Sequence, residues 1–183
     1  MFKAILSNKN LSECSEYYSC VSDLLNNDMV LKLQEFRHHI GTTRFQHSLN
    51  VSYYNFRLCK LLKLDAKSAA RAGLLHDFFF YNRKEHVSTA HRSHAAEHAI
   101  VAFENASGMF PLNELESDMI VNHMWPMTVR LPRHRETFAI TLVDKFCAVA
   151  EVVKSASCFT GKKLRAAQAL VLLAVINHGF WHV

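Results

Sequence analysis

Turn-forming residues are so scarce in this chain that they decide its fold class. Five glycines and three prolines are spread over 183 residues, whereas a sandwich or barrel of this length needs a turn signal about every ten residues. No segment sustains the apolar/polar alternation of a half-buried strand. The expected fold is therefore all-α. Half of the residues are hydrophobic and a fifth are charged, enough apolar material for one core and a length that fits a single domain. No repeat, low-complexity tract or Ser/Gly-rich linker divides the chain.

Its punctuation predicts the helices. Amphipathic segments near Ser12 to Asn26 and Met29 to His38 flank the polar Asn26-Asn27-Asp28. Gly41-Thr42-Thr43 then gives a break and a cap. From Arg44 to Leu62, Val51, Tyr54, Leu58 and Leu61 recur at steps of three and four, and His47 lies on the same stripe. Asp65 caps a small-residue helix that ends near Asp77. A helix is expected from Ser88 to Asn105, ended by Gly108 and Pro111. Asn113 and Glu116 form a capping-box pair that opens a helix to about His123. A long helix follows from Arg135 to Val153, and beyond Gly161 a last one from Lys162 to Ile176 is expected to pack across the others.

Other classes are excluded or disfavoured. The longest apolar run, Ala169 to Ile176, is far too short to span a bilayer. The start, MFKAILSNKN, has no signal-peptide core, so the expected address is cytoplasmic. Cys14, Cys20, Cys59, Cys147 and Cys158 show no CxxC pairing and read as reduced thiols. The net charge of +5 favours anionic ligands but is too diffuse for a nucleic-acid footprint.

Twelve histidines stand out instead, and histidine is the commonest metal ligand. His76 and Asp77 emerge together from the apolar segment Ala69 to Leu75. Two ionisable groups there carry a large desolvation penalty unless paired, and a divalent cation satisfies both. His47, His123 and Asp144 lie in similarly apolar settings, while His91, His94 and His98 share one helix face. Taken singly, each has a bland reading: a core histidine bonded to a carbonyl, or an aspartate paired with Arg71 or Lys145. Recurrence on several helices favours a common site.

The order His47, His76-Asp77, Asp144, each on its own helix, with LLHD after a small-residue helix and LVDKFC around Asp144, resembles the HD-domain superfamily of metal-dependent phosphohydrolases. HAIVAFENA from His98 and the later NHMWP are similar to a branch of that superfamily with an HMWP-type segment. The resemblance spans about Gly41 to Val152. It implies an HD-domain helical bundle in which residues 41–153 are the core, with 1–40 and 154–183 packing on it as further helices. It also implies that His47, His76, Asp77 and Asp144 bind a first metal, with His98 and His123 added for a second and Asp77 bridging. His91 and His94 compete with His98 as the ligand from their helix. The implied cofactors are one or two divalent ions, of Mn, Fe, Mg, Co, Ni or Zn.

The implied reaction is hydrolysis of a small phosphate ester such as a nucleotide by hydroxide generated between the ions. Asp77 and His94 are the catalytic candidates, with His38 a second candidate to protonate the leaving group. Arg37, Arg83, Lys84, Arg130, Arg133 and Arg135 are available to an anion. A Lys common after the HD pair is replaced here by Phe78, Phe79, Phe80 and Tyr81, at least two of them expected in the core. Three alternatives stay open: a mixed-valent di-iron oxygenase using the same four His and two Asp; a non-catalytic, metal-stabilised ligand-sensing module; and a zinc peptidase through His94-Ala-Ala-Glu97-His98, which leaves the other ligands unexplained. No membrane partner is expected, and homo-oligomerisation is left open.

Overall fold

A computed structural model describes residues 2–7, 10–11, 14–38, 41–82 and 93–159. Its described residues form one all-helical body of seven α-helices: α1 Ser15–Leu25, α2 Asp28–Lys32, α3 Arg44–Leu61, α4 Ala66–Leu75, α5 His94–Met109, α6 Glu114–Asn122 and α7 Arg135–Phe159. A short 3₁₀ turn, Leu33–Glu35, extends α2. There is no strand among them, only an isolated bridge between Arg37 and Thr43. No described helix is long and apolar enough to cross a membrane.

The helix starts follow the predicted chemistry. The Thr43 and Asp65 side chains accept from the backbone N–H groups of Gln46 and Ser68, and Asn113 and Glu116 form a reciprocal capping box; Ser93, unmarked in the sequence, caps α5 by accepting from Ala96 N–H. Five expectations need correction. The second segment leaves helical geometry at Phe36, not at His38, because the chain turns back so that Arg44 N–H bonds Phe36 O and His38 N–H bonds Thr42 O. That turn passes through Gly41 at φ +80°, where a side chain would be strained. Leu61, placed on the apolar stripe, is 78% exposed at the end of α3. Gly108 lies within α5, and α7 runs past Val153 to Phe159. α5 starts at His94 behind the extended N-cap Ser93, so it does not run on from Ser88 as expected; Ser88 and His91 themselves and the expected helix 162–176 lie outside the described residues.

α3 is the central helix, buried on almost every side, including its polar Ser48, Asn50, Ser52 and Asn55. Ser52, Asn55 and Asn50 are satisfied by neighbouring helices, whereas the buried Ser48 hydroxyl has no hydrogen-bond partner among the described residues. Ser52 donates to Ala70 O at 2.6 Å, Asn55 to Ala69 O at 3.0 Å, and Tyr17 shares a 2.8 Å hydrogen bond with Ser52. α4 packs closely on α3, with α1 and α6 also against α4, and α7 lies along α3. Leu24, Leu25, Leu33, Leu49, Leu74, Leu75, Phe78, Met119 and Ile120 fill the core between them. Arg71, one of the residues available to neutralise a buried aspartate, is instead engaged by Asp23 and Glu116. Lys145 donates to Thr141 O.

At the far end, Asp118 ties α6 to the start of α7. It accepts from Arg133 N–H at 3.0 Å, Asn122 Nδ2 at 2.7 Å and the Thr137 hydroxyl. Burial alone would raise its carboxyl, but these three donors outweigh burial and hold it below the usual carboxylate range. Asp118→Asn is therefore expected to cost about 2 kcal/mol at neutral pH, the scale of a lost charged hydrogen-bond set. The folded-state pKa is the lower one, so this contribution is complete above the unfolded value near ~4 and disappears as pH falls through the folded value. Urea unfolding at pH 7 and pH 3 checks it: the gap between wild type and variant should narrow in acid.

Candidate metal centre

The last turn of α4 begins the site. His76 closes that helix in αR geometry, and its Nδ1–H donates to Gly73 O at 2.9 Å. This covers one of the carbonyls that every helix C-terminus leaves open. α6 ends the same way: His123 follows Asn122 and donates Nδ1–H to Ile120 O at 2.8 Å. On α5, His98 donates Nδ1–H to His94 O at 2.7 Å. Each backbone bond fixes the neutral tautomer, leaving Nε2 with a lone pair directed away from its own helix.

Those lone pairs converge. His98 Nε2 and His123 Nε2 are 3.1 Å apart, a repulsive approach for two acceptors unless a proton or cation lies between them. His76 Nε2 is buried with no hydrogen-bond partner. Burial and the neighbouring His76 and His98 hold the His123 imidazole down to about 3, so it stays a neutral donor of electrons over the ordinary pH range.

Asp77 sits among them, 3% exposed. Its Oδ1 faces His98 Nε2 at 3.5 Å and His123 Nε2 at 4.0 Å. Its Oδ2 faces His38 Nδ1 at 3.5 Å and His76 Nε2 at 3.8 Å. One carboxylate thus presents its two oxygens to two sets of imidazoles. Burial would raise its pKa, but the surrounding His76, His98, His38 and His123 hold it far below the usual carboxylate range.

α3 and α7 complete the wall. His47 Nε2 lies 2.9 Å from Asp144 Oδ1, which is also 3.7 Å from His76 Nε2. On its other side, His47 Nδ1 is 3.1 Å from both oxygens of Glu151, itself held by Asn50 Nδ2 at 2.7 Å. Burial opposes charge on His47, yet these two carboxylates push its pKa up to about 10. The His47 pocket is therefore strongly negative and attracts positive charge. Three overlapping groups, His38/His47/Asp77, His47/His76/Asp144 and His76/Asp77/His123, each bring their ligand atoms within 4.8 Å of one another, a spacing that can hold a metal ion.

All six residues expected as ligands, His47, His76, Asp77, His98, His123 and Asp144, are brought together by these distances. His94 stands one turn before His98, its ring 5.2 Å from that of His98 and near Tyr81 and Phe79. His94, Glu97 and His98 all stand outside the three metal-competent groups, but the His98 Nε2 faces His123 and Asp77. The HxxEH arrangement therefore does not explain the cluster. Arg37, Arg130, Arg133 and Arg135 are exposed, whereas Arg83 and Lys84 lie outside the described residues.

Three neighbours escaped the sequence reading or were given other weight there. His38 packs on His47 with ring centroids 4.0 Å apart. Glu151 has no local signal, because one acidic residue in a long helix ordinarily faces solvent. Arg44 is buried in the first turn of α3, donating to Phe79 O at 2.6 Å and Tyr81 O at 3.1 Å, with its guanidinium 3.6 Å from the Phe79 ring centroid. It pins the aromatic segment that follows the HD pair. Phe78 and Phe80 pack into the core with Phe36 and Phe110, while Phe79 lies against His98 at 5.5 Å.

Compared with models of known protein families, with curated proteins and with solved structures, the chain matches none of them.

Proposed function

We propose that this protein is a metal-dependent phosphohydrolase of the HD-domain type, acting on a small phosphate ester with a nucleotide among the candidates. The observation that carries the reading is Asp77, whose two oxygens face separate imidazole sets, as a carboxylate shared between two cations requires. On this reading His47, His76, Asp77 and Asp144 hold one ion and Asp77, His98 and His123 the other, with residues 41–153 as the catalytic core and the flanking segments packing on it. Two divalent ions supply, when bound, an acidified water and charge neutralisation for a phosphoryl group. The chain's own part is to aim the Nε2 atoms of His76, His98 and His123 inward through backbone bonds and that of His47 through Glu151, and to keep the pocket largely dry. His94, beside His98, and His38, 18% exposed on its side chain, are the groups available to donate a proton to the leaving group.

The test is hydrolysis of a phosphate-ester and nucleotide panel by protein loaded with Mn²⁺, Fe²⁺, Co²⁺, Ni²⁺ or Mg²⁺. Turnover that tracks metal content is the expected result; fully loaded protein with no turnover of any ester overturns it. A second reading, a di-iron oxygenase, is favoured by the six-ligand count and by the aromatic run Phe78 to Tyr81 in place of the Lys common after the HD pair. A mixed-valent spin signal after anaerobic iron loading would select it. Zinc-like loading without chemistry would instead leave the metal a stabilising role.

Glu151 fixes the ring orientation of His47 and raises its basicity, as carboxylates bonded to metal-binding histidines do. Glu151→Gln is expected to weaken metal binding about 10–100-fold while retaining the same number of ions at saturation. Metal titration monitored by calorimetry reads both quantities.

A further inference from the structure

His38 stands at the centre but outside the six-ligand set. It precedes α3 on a turn closed by two backbone bonds, His38 N–H to Thr42 O at 3.0 Å and Arg44 N–H to Phe36 O at 2.8 Å. The same turn passes Gly41, where an added Cβ would meet Ser155 Oγ at 2.7 Å, so it is set against α7, the helix that carries Asp144. The His38 ring lies on that of His47, 26° from parallel with centroids 4.0 Å apart. That packing aims its Nδ1 at Asp77 Oδ2, 3.5 Å away. Oδ2 is the oxygen that faces His76, whereas His98 and His123 face Oδ1. His38 therefore belongs to the side of His47, His76 and Asp144. We propose that His38 is a fifth protein ligand of the ion held by His47, His76, Asp77 and Asp144, which leaves the ion beside His98 and His123 to receive the substrate's anion. The assignment rests on the two-ion reading above.

Distance separates a ligand from a hydrogen-bond partner. A charged N–H to carboxylate bond is about 2.7–2.9 Å long, and the approach of His38 to Asp77 exceeds it. Donors at about 2.1 Å from one octahedral cation lie about 3.0 Å apart when adjacent and about 4.2 Å apart when opposite. The pairs on this side fit that range: 2.9 Å for His47 and Asp144, 3.5 Å for His38 and Asp77, 3.7 Å for His76 and Asp144, and 3.8 Å for His76 and Asp77. His38, His47 and Asp77 also close a ligand-spaced triad of their own.

The number of donors sets where a substrate fits. Five protein donors leave one of six octahedral positions, enough for a shared water and no more, whereas Asp77, His98 and His123 leave three at the other ion. The surroundings agree. The His94 and Phe79 rings border that second side, at 5.2 Å and 5.5 Å from the His98 ring. Of the two candidate proton donors, His94 is then the one beside the substrate, and His38 is committed to the ion.

Co²⁺ titration of the metal-free, full-length chain, followed by calorimetry and visible absorption, tests this. The wild type should bind two ions, the first more tightly, and orthophosphate should change the spectrum of the second ion but not of the first. His38→Ala should weaken the first ion by at least the about 10–100-fold that losing an outer-shell partner costs. Its first ion should also become responsive to phosphate. Free imidazole should reverse both changes, which a merely structural role of His38 does not allow. Should this variant fail to fold, X-ray absorption of the wild type at one equivalent of Co²⁺ decides: three imidazoles are expected, and two would overturn the assignment. An unchanged first affinity in His38→Ala, phosphate on the first ion of the wild type, or no rescue by imidazole would overturn it and leave the two-ion reading standing. A chain that binds no Co²⁺ at neutral pH defeats both.

Discussion

Asp77→Ala is expected to lower the proposed metal-dependent hydrolysis by more than about 1,000-fold, a loss of at least ~4 kcal/mol of transition-state stabilisation. The size follows from position. Asp77 is the one carboxylate whose oxygens face both imidazole sets, at 3.5 Å from His98 on one side and from His38 on the other. Without it, a second ion held beside His98 and His123 has two neutral imidazoles and no carboxylate. Asp77→Asn keeps the shape but not the charge and should behave nearly as badly. Metal analysis separates chemistry from folding: the wild type is expected to hold two ions and the variants one or none. Thermal unfolding gives an independent reading. At a free metal concentration about 1,000 times the Kd, binding stabilises the wild type by about 4 kcal/mol, or roughly 10 °C for a chain of this size. The variants should lose most of that rise while melting cooperatively without metal. A variant that keeps both ions and full turnover would remove Asp77 from the site and the dinuclear reading with it.

How far the centre was legible in the sequence depends on how local its causes are. Helix starts are written in a few adjacent residues, so Thr43, Asp65 and the Asn113/Glu116 pair mark their helices directly. His76-Asp77 was conspicuous because the segment before it, Ala69 to Leu75, is small and, Arg71 apart, apolar. Glu151 was not, since its burial depends on α7 lying along α3 and on Asn50 and His47, about a hundred residues earlier, meeting it there. Arg44 was hidden for a similar reason. An arginine in a first helical turn ordinarily faces water, and only the folded aromatic segment behind the HD pair supplies the two carbonyls that bury it. The early end of the second segment also has a distant cause. Phe36 turns extended because its carbonyl is taken by Arg44 N–H, a pairing no periodicity encodes.

Gly73→Ala is expected to destabilise the protein by about 3 kcal/mol, lowering its melting temperature by roughly 6–12 °C. Gly73 is where α4 touches α3 backbone to backbone. A Cβ built there would lie 2.6 Å from Ser52 Cα and 2.8 Å from Ser52 N, distances that no rotamer change relieves. The two helices must separate or slide, and both carry ligand-type residues: His47 on α3, and His76 just beyond the end of α4. Gly73 O is also the acceptor that orients the His76 ring, so a shift of α4 turns its Nε2 away from Asp144. Metal affinity should therefore fall together with stability, although residue 73 offers no ligand atom. Gly108→Ala supplies the contrast. It lies in α5 with nothing within 4 Å of the added carbon, so replacing a helical glycine should stabilise by about 0.5–1 kcal/mol and leave metal binding unchanged. Equal melting temperatures for the two variants would mean that α3 and α4 do not meet at Gly73.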